Sequence, residues 1–199
     1  MTTTHQHRTP ADSRTLAVPA TEEPVRSPMA RRALAALRIA FGLTFLWAFF
    51  DKLLALGYHT GYNQEGVLDR FGDAAWINGG SPTEGFLSFG VNPDSPFAGF
   101  YNGLAGHAVV DWLFMLGLLG IGLTLTFGVG MRIGAVSGLA MYLFMYGAVM
   151  LPENNPVFDD HLIGAIAMTV LFFTLAGDTW GLGKAWARTH LVRTYGALR

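Results

Sequence analysis

The chain of 199 residues is 51% hydrophobic and 14% charged, and its mean hydropathy is positive at +0.35. This composition is too apolar for an ordinary soluble domain, so we expect a membrane protein. The formal net charge is −1 and no basic stripe suits nucleic acid, which is therefore not an expected partner. Cysteine is absent, which excludes disulfide exchange, iron–sulfur ligation, thiolate catalysis and thiolate–zinc sites. Redox chemistry would therefore need a bound cofactor or substrate.

The first part of the chain, residues 1–32, is rich in threonine, proline, serine and charged residues and has no sustained hydrophobic period. Such a segment cannot bury enough apolar surface to order itself, so it predicts a disordered tail.

Four apolar segments follow, each long enough to cross a bilayer core about 30 Å thick at about 1.5 Å per residue. The predicted spans are 33–56, 109–129, 133–151 and 161–176. Together they predict an all-α, integral membrane four-helix bundle over residues 33–183. A basic tail, 184–199, follows the bundle.

The distribution of basic residues sets the predicted orientation. The N-terminal tail carries five arginines, the turn between the second and third spans carries Arg132, and the C-terminal tail carries Lys184 and three arginines. By contrast, Arg70 is the only arginine or lysine in 58–107, and 152–160 has none. Because basic segments stay on the cytoplasmic side, both termini are predicted to be cytoplasmic.

The outer segment 58–107 is too long for a plain connection and predicts a partly helical cap. One short amphipathic helix is predicted from the spacing of Val67, Leu68, Phe71 and Ala75. A second helix over 83–89 is predicted from a capping box, Ser-Pro-Thr-Glu at 81–84. In the third span, Gly134 and Gly138 predict a small-residue face for close helix packing.

Ionisable residues cluster near the predicted outer ends of three spans. In chain order they are Asp51, Lys52, His107, Asp111, Asp159, Asp160 and His161. Charged side chains within a span are costly, about 2.5–3.5 kcal/mol each on insertion scales, and so indicate function. Asp51 and Lys52 lie about five residues from the end of their span, roughly 8 Å below the surface.

A purely structural interpretation competes with this one. Lys52 could extend its ammonium to the interface, and Asp111, Asp159 and Asp160 could serve as helix caps. Asp51 is too short to reach the interface, so we expect it to need a cation or a hydrogen-bond donor, most simply Lys52, His161 or another cation from a facing helix. Arg38, near the inner end of the first span, is expected to bury its stem and keep its head at the interface.

His161 and His107, together with the nearby acids, could also form a metal or haem site, because imidazole and carboxylate groups bind several first-row metals. No dedicated ligand spacing is present, so a pH-sensitive polar pocket is the preferred interpretation, and no metal ligands are assigned. Tyr142 and Tyr146, one turn apart, are typical of packing or of an interfacial belt, and they could also present hydroxyls or rings to a flat ligand.

The chain resembles the DoxX/DoxD family of small four-helix bacterial membrane proteins over about residues 34–188. The first block is Arg38-x3-Gly42-x2-Phe45-Leu-Trp-Ala-Phe-Phe-Asp51-Lys52-Leu. The other blocks are Ala75-Trp-Ile-x-Gly-Gly-Ser-Pro-Thr-x-Gly-Phe-Leu-Ser88, Asp111-Trp-Leu-Phe-Met-Leu-Gly-Leu-Leu-Gly120, Asp160-His161-Leu and Ala176-Gly-Asp-Thr-Trp-Gly-Leu-Gly183.

This resemblance implies a four-helix bundle in the bacterial plasma membrane. In the DoxD branch it implies a membrane subunit of a thiosulfate:quinone oxidoreductase, and elsewhere a membrane partner in oxidative-stress and thiol-homeostasis assemblies. The residues carried over by position are Lys52, Asp51, Asp111, Asp160 and His161.

The leading hypothesis is a redox-linked membrane subunit with a polar, quinone- or anion-facing pocket near the outer leaflet. Its predicted catalytic residues are His161 for proton transfer, Lys52 for an anion or a quinone oxygen, and Asp51 and Asp160 for the local charge state. Its predicted substrate-binding residues are Lys52, Asp111, His107, Tyr142 and Tyr146. A quinone is the expected cofactor, and the lipid bilayer and other membrane or respiratory-complex subunits are the expected partners.

Two other classes compete with this hypothesis. One is a non-catalytic accessory or scaffold subunit of a respiratory or oxidoreductase complex. The other is a transporter, which ranks lowest because the sequence lacks a convincing inverted repeat and a pair of broken helices.

Overall fold

The computed structural model describes residues 25–62, 65–152, 155 and 157–199. Within these residues the chain is all-helical and forms no β-strand, as predicted. Most of the predicted N-terminal tail, residues 1–24, lies outside the described residues.

Seven α-helices are found in the described part of the chain. They are α1 (Pro28–Leu54), α2 (Ala98–Asn102), α3 (Ala108–Phe127), α4 (Met131–Ala148), α5 (Asp160–Phe173), α6 (Gly183–Ala187) and α7 (His190–Thr194). By length and composition, α1 and α3 are able to cross a membrane, and α5 is a shorter apolar helix of 14 residues.

Helix α1 begins five residues before the start predicted for the first span. Its N-cap is Ser27, whose Oγ accepts a hydrogen bond from the Ala30 N–H at 3.4 Å, and Pro28 occupies the first helical position. Both residues favour a helix start, because a side-chain oxygen satisfies an end N–H and proline has no N–H that needs a partner.

The four long helices pack in the order α1 against α3, α3 against α4, and α4 against α5. Their main apolar core consists of Phe45, Met115, Leu118, Ile121, Leu125, Met131, Met168, Leu171 and Ala176. These side chains come from all four helices and from the turn after α5, so the core is shared by sequence-distant elements.

Glycines allow these helices to approach closely, as predicted for α4. A Cβ on Gly134 would collide with the Thr124 side chain of α3, and one on Gly138 would lie 2.8 Å from the Met168 sulfur of α5. A Cβ on Gly42 of α1 would lie 2.6 Å from the Thr126 backbone N of α3. The small residues therefore set the spacing between neighbouring helices.

Arg38 is fully buried, so the prediction that its head reaches the interface is wrong. Its Nη1 donates to the carbonyls of Leu125 and Thr126, the latter at 2.9 Å, and its Nη2 donates to the carbonyl of Trp180 at 3.1 Å. The last carbonyls of α3 have no partner within their own helix and carry a partial negative charge. They supply the environment that a buried guanidinium needs.

The first half of the 58–107 segment does not form the amphipathic helix predicted from Val67 to Ala75. It forms turns with one isolated bridge between Tyr62 and Leu68. The Phe71 N–H donates to the Leu54 carbonyl at 3.2 Å, and Arg70 Nε donates to the Leu56 carbonyl at 2.9 Å. This segment thus satisfies carbonyls where α1 ends, which a continuous helix at the same place could not do.

The second half of the segment contains the predicted helix as a short π-helical turn, Phe86–Gly90, and a helix that was not predicted, α2. Of the capping box, one bond is present: Ser81 Oγ accepts from the Glu84 N–H at 3.1 Å. Tyr101 of α2 donates its hydroxyl to the Phe144 carbonyl at 2.6 Å, which fastens this half to the end of α4.

Replacing Arg38 with methionine should lower the free energy of unfolding by about 2–3 kcal/mol, because the end of α3 would lose its charged donor while apolar volume is kept. Denaturant titration of the protein in detergent measures this. Arg188→Met, at an exposed position, is the matched control. Equal stability of the two variants would contradict the structural role of Arg38.

Candidate functional site

Asp51 is completely buried, and backbone N–H groups satisfy its charge. Its Oδ1 accepts from the Tyr58 N–H at 3.1 Å, and its Oδ2 accepts from the His59 and Thr60 N–H groups at 3.0 and 3.1 Å. Hydrogen bonds from three donors compensate for the loss of hydration that burial imposes on a carboxylate. Asp51 therefore orders the loop that leaves α1.

Asp51 thus has the hydrogen-bond donors that it was expected to need, but the expected salt bridge to a cation is not formed. No lysine, arginine or histidine of the described residues lies within salt-bridge distance of its carboxylate. The three amide donors occupy the positions that a cation would take. Asp51 therefore positions the loop that follows α1.

Lys52 follows Asp51 on α1 and is half-buried. Within the part of the chain that the structure describes, its ammonium group has no hydrogen bond or salt bridge. It is therefore a cation available to an anionic or carbonyl ligand at the end of α1.

Asp111 is 8% exposed and joins the first turn of α3 to the Ser-Pro-Thr stretch. Its Oδ1 accepts from Ser81 Oγ at 2.8 Å, from Thr83 Oγ1 at 2.6 Å and from the Thr83 N–H at 3.2 Å. These partners lie about 30 residues away in sequence, so helix patterns could not reveal them. The capping box at 81–84 was the only local sequence pattern that pointed to Ser81. It predicted the bond from the Glu84 N–H to Ser81 Oγ, but not the bond from Ser81 Oγ to Asp111.

His107 and Asp160 are both exposed. Neither side chain makes a hydrogen bond or ion pair with the described residues, and His107 does not cap α3 through its ring. The structure therefore leaves both of them outside the clusters formed by the other predicted site residues.

His161 lies at the start of α5 and forms a close pair with Asp159. The distance from His161 Nδ1 to Asp159 Oδ2 is 2.6 Å, and Asp159 Oδ1 accepts from the Leu162 N–H at 2.9 Å. Asp159 is thus both the N-cap of α5, as the cap interpretation predicts, and the partner that orients the imidazole. Nε2 of His161 has no partner among the described residues and remains available.

Burial raises the pKa of the Asp159 carboxyl, but hydrogen bonds from the Leu162 N–H and from His161 outweigh burial, and the net pKa lies below the ordinary value of 3.8. Asp159 therefore stays ionised at neutral pH.

Tyr142 of α4 lies beside this pair. Its ring makes edge contacts with His161 at 6.5 Å between centroids, and with Phe41 and Phe45 of α1 at 6.0 and 5.4 Å. A Cβ on Gly164 of α5 would lie 2.7 Å from the ring, so this glycine makes room for it. The hydroxyl has no hydrogen-bond partner among residues 25–62, 65–152, 155 and 157–199.

Tyr146, one turn further along α4, has a different role. Its hydroxyl donates to the Val157 carbonyl at 2.7 Å and so holds the loop that leads into α5. Tyr146 is therefore a tether for the segment that carries Asp159, while Tyr142 keeps a free hydroxyl.

The structure thus brings together Asp159, His161 and Tyr142, with Phe41 and Phe45 as an aromatic wall; we call these five residues the His161 site. It does not join Lys52 or Asp111 to this site by direct contact.

Sequence reasoning missed three residues of this region as site residues. They are Phe41 and Phe45, which repeat at one-turn spacing on α1, and Gly164. In the described part of the chain, no three His, Cys, Asp or Glu residues are placed to hold a metal ion.

Comparisons of the chain with protein-family models, curated proteins and solved structures give no match.

The Asp159–His161 pair should make stability depend on acid pH. Because the pKa of Asp159 is lower in the folded state, its contribution is fully present above about pH 4 and is lost as the pH falls through the folded pKa. Thermal unfolding from pH 2.5 to 6 should show a smaller acid-induced loss in Asp159→Asn than in the native protein. The exposed neighbour variant Asp160→Asn should match the native curve, and identical curves for all three would contradict this prediction.

Proposed function

We propose that α1, α3, α4 and α5 form an integral membrane four-helix bundle with both termini in the cytoplasm of a bacterium. Only 22% and 33% of the most apolar windows of α1 and α3 are buried, whereas core helices of soluble proteins are mostly buried. Large apolar side chains are exposed on every long helix. Examples are Leu43, Trp47, Phe50, Leu113, Leu116, Leu123, Ile133, Val136, Leu143, Ile163, Ile166 and Phe173. Apolar surface of this extent calls for a lipid environment.

The basic residues support one orientation of this bundle. Arg132, the second residue of α4, and the basic residues after α5 lie at the bundle end where α1 begins with Arg31 and Arg32. The opposite end holds Asp51, Asp111 and Asp159. In a plasma membrane the basic end faces the cytoplasm.

The absence of cysteine gives a direct test of topology. Single variants Asp94→Cys and Arg193→Cys place one thiol at each proposed side, at exposed positions. In intact cells a membrane-impermeant maleimide should label only Asp94→Cys, and it should label Arg193→Cys only after lysis. Labelling of Arg193→Cys in intact cells would contradict the proposed orientation.

Within this bundle the chain acts as a DoxX/DoxD-like membrane subunit of a redox system, with a quinone bound at the His161 site near the outer leaflet. The observation that carries this proposal is the pairing of His161 with Asp159 at 2.6 Å beside the unpaired hydroxyl of Tyr142. A carboxylate on Nδ1 holds the imidazole in one orientation and leaves Nε2 facing outward, and histidine is the side chain that most often acts as a general acid or base. A neighbouring hydroxyl can donate a hydrogen bond to a second oxygen, and Phe41 and Phe45 offer apolar contact to a flat ring.

The proposed reaction balances with thiosulfate as the electron donor. Two thiosulfate ions would lose two electrons and join through a new sulfur–sulfur bond, and a bound quinone would supply the acceptor for two electrons and two protons. His161 would donate a proton from Nε2 and be reprotonated from solvent, while Asp159 keeps the ring oriented through Nδ1. Lys52, whose ammonium makes no hydrogen bond or salt bridge with the described residues, attracts the anion to this end of the bundle.

A second candidate is an accessory or scaffold subunit of a respiratory or oxidoreductase complex. The observation in its favour is that Asp51 and Asp111, the two buried acids of the described residues, both hold loops through hydrogen bonds. Other membrane subunits would then supply the redox centre. Co-purification of such subunits after gentle solubilisation, without quinone reductase activity in the chain alone, would favour this candidate.

Substitutions of His161 and Lys52 should lower the redox activity of the purified protein. His161→Ala should reduce thiosulfate-dependent reduction of a quinone analogue by about 10²-fold or more, the typical contribution of general acid catalysis. Lys52→Ala should raise the KM for thiosulfate. His190→Ala and Lys184→Ala, at exposed positions of α7 and α6, are the matched controls and should keep native activity. Native rates in His161→Ala and Lys52→Ala would contradict the mechanism.

A further inference from the structure

An apolar groove of about 260 Å³ runs between α4 and α5, on the half of these helices where α4 begins and α5 ends. Its walls are formed by Ala135, Val136, Leu139, Met168, Phe172 and Phe173. The remaining lining residue, Thr169, donates its hydroxyl to the Ala165 carbonyl of its own helix at 3.0 Å, so it offers no donor to the groove. Val136 and Phe173 are more than half exposed, which leaves the groove open on its outer side.

The side chain of Arg132 lies beside this apolar groove. The guanidinium of Arg132 lies 6.0 Å from the ring centre of Phe172, one of the groove residues. Arg132 is exposed, and its one hydrogen bond, to the Gly196 carbonyl, is long at 3.5 Å. Among the described residues no carboxylate pairs with it. Its remaining N–H donors are therefore available to an anion.

An apolar channel with a cation at one end is complementary to an anionic lipid. A lipid acyl chain can pack against the apolar walls of the groove. The N–H donors of the planar guanidinium group match the oxygens of a phosphate. Basic residues next to a span on the cytoplasmic side attract anionic headgroups in the same way. A small water-soluble anion would bind the guanidinium but leave the groove empty. An uncharged acyl chain would fill the groove but leave the guanidinium without a counter-ion.

We infer that this groove binds one anionic phospholipid of the cytoplasmic leaflet, with an acyl chain between α4 and α5 and the headgroup phosphate on Arg132. This inference rests on the proposed membrane location of the bundle, and it concerns a surface distinct from the His161 site. The bound lipid would cover the seam between α4 and α5, the helices that carry Tyr142 and His161.

Native mass spectrometry of the full chain in detergent, with phosphatidylglycerol or phosphatidylcholine added in equal amounts, tests the inference. The native protein should retain one phosphatidylglycerol in preference to phosphatidylcholine. Arg132→Gln should weaken phosphatidylglycerol binding by about tenfold, as expected for one charge-assisted hydrogen bond, and so remove the preference. Val136→Trp, which fills the groove from an exposed position, should reduce binding of both lipids, while Arg188→Gln should behave as the native protein.

Equal retention of both lipids by the native protein, or an undiminished preference in Arg132→Gln, would overturn the inference. A dimer that Val136→Trp dissociates, with no lipid retained, would assign the groove to a second copy of the chain and overturn it too. A thermal unfolding midpoint close to native in each variant excludes misfolding as the cause of lost binding. The lipid measurement in detergent does not test whether the protein lies in a membrane. Recovery of the native chain in the soluble fraction of cells would contradict that proposal.

Discussion

The polar groups at the ends of the long helices need partners inside an otherwise apolar molecule, and this constraint organises the structure. Four C-terminal carbonyls and four N-terminal N–H groups of every helix lack partners within the helix. Buried Arg38 meets the constraint for α3 by donating to its last carbonyls. Buried Asp51 provides acceptors for the amides of the loop that follows α1. Both charges are costly alone and are compensated by the backbone they bind.

The same constraint explains the long connection between α1 and α3. One half of it turns back to donate to carbonyls at the end of α1, and the other half does so at the end of α4 through Tyr101. Asp111 links its middle to the first turn of α3. Once these acids have structural partners, the partly buried groups among the predicted site residues that keep unused bonding capacity in the described part of the chain are Lys52, Nε2 of His161 and the hydroxyl of Tyr142. Functional hypotheses therefore concentrate on these three groups.

Sequence reasoning recovered what periodicity encodes and missed what depends on distant partners. The helical class, the close packing at Gly134 and Gly138, and the cap role of Asp159 follow from local patterns. The helix predicted from Val67 to Ala75 failed, because those backbone groups bond to the end of α1 instead of to one another. The partners of Arg38 and Asp51 could not be predicted, because carbonyls and amides are present at every residue and leave no mark in the sequence.

The central claim is that the His161 site binds a quinone. A cryo-electron microscopy map of the protein extracted with native lipids tests it most directly. The account predicts planar density between α1, α4 and α5, with one oxygen in hydrogen-bond reach of His161 Nε2 and another near the Tyr142 hydroxyl. A site closed by side chains, or quinone density only elsewhere on the bundle, would contradict the account.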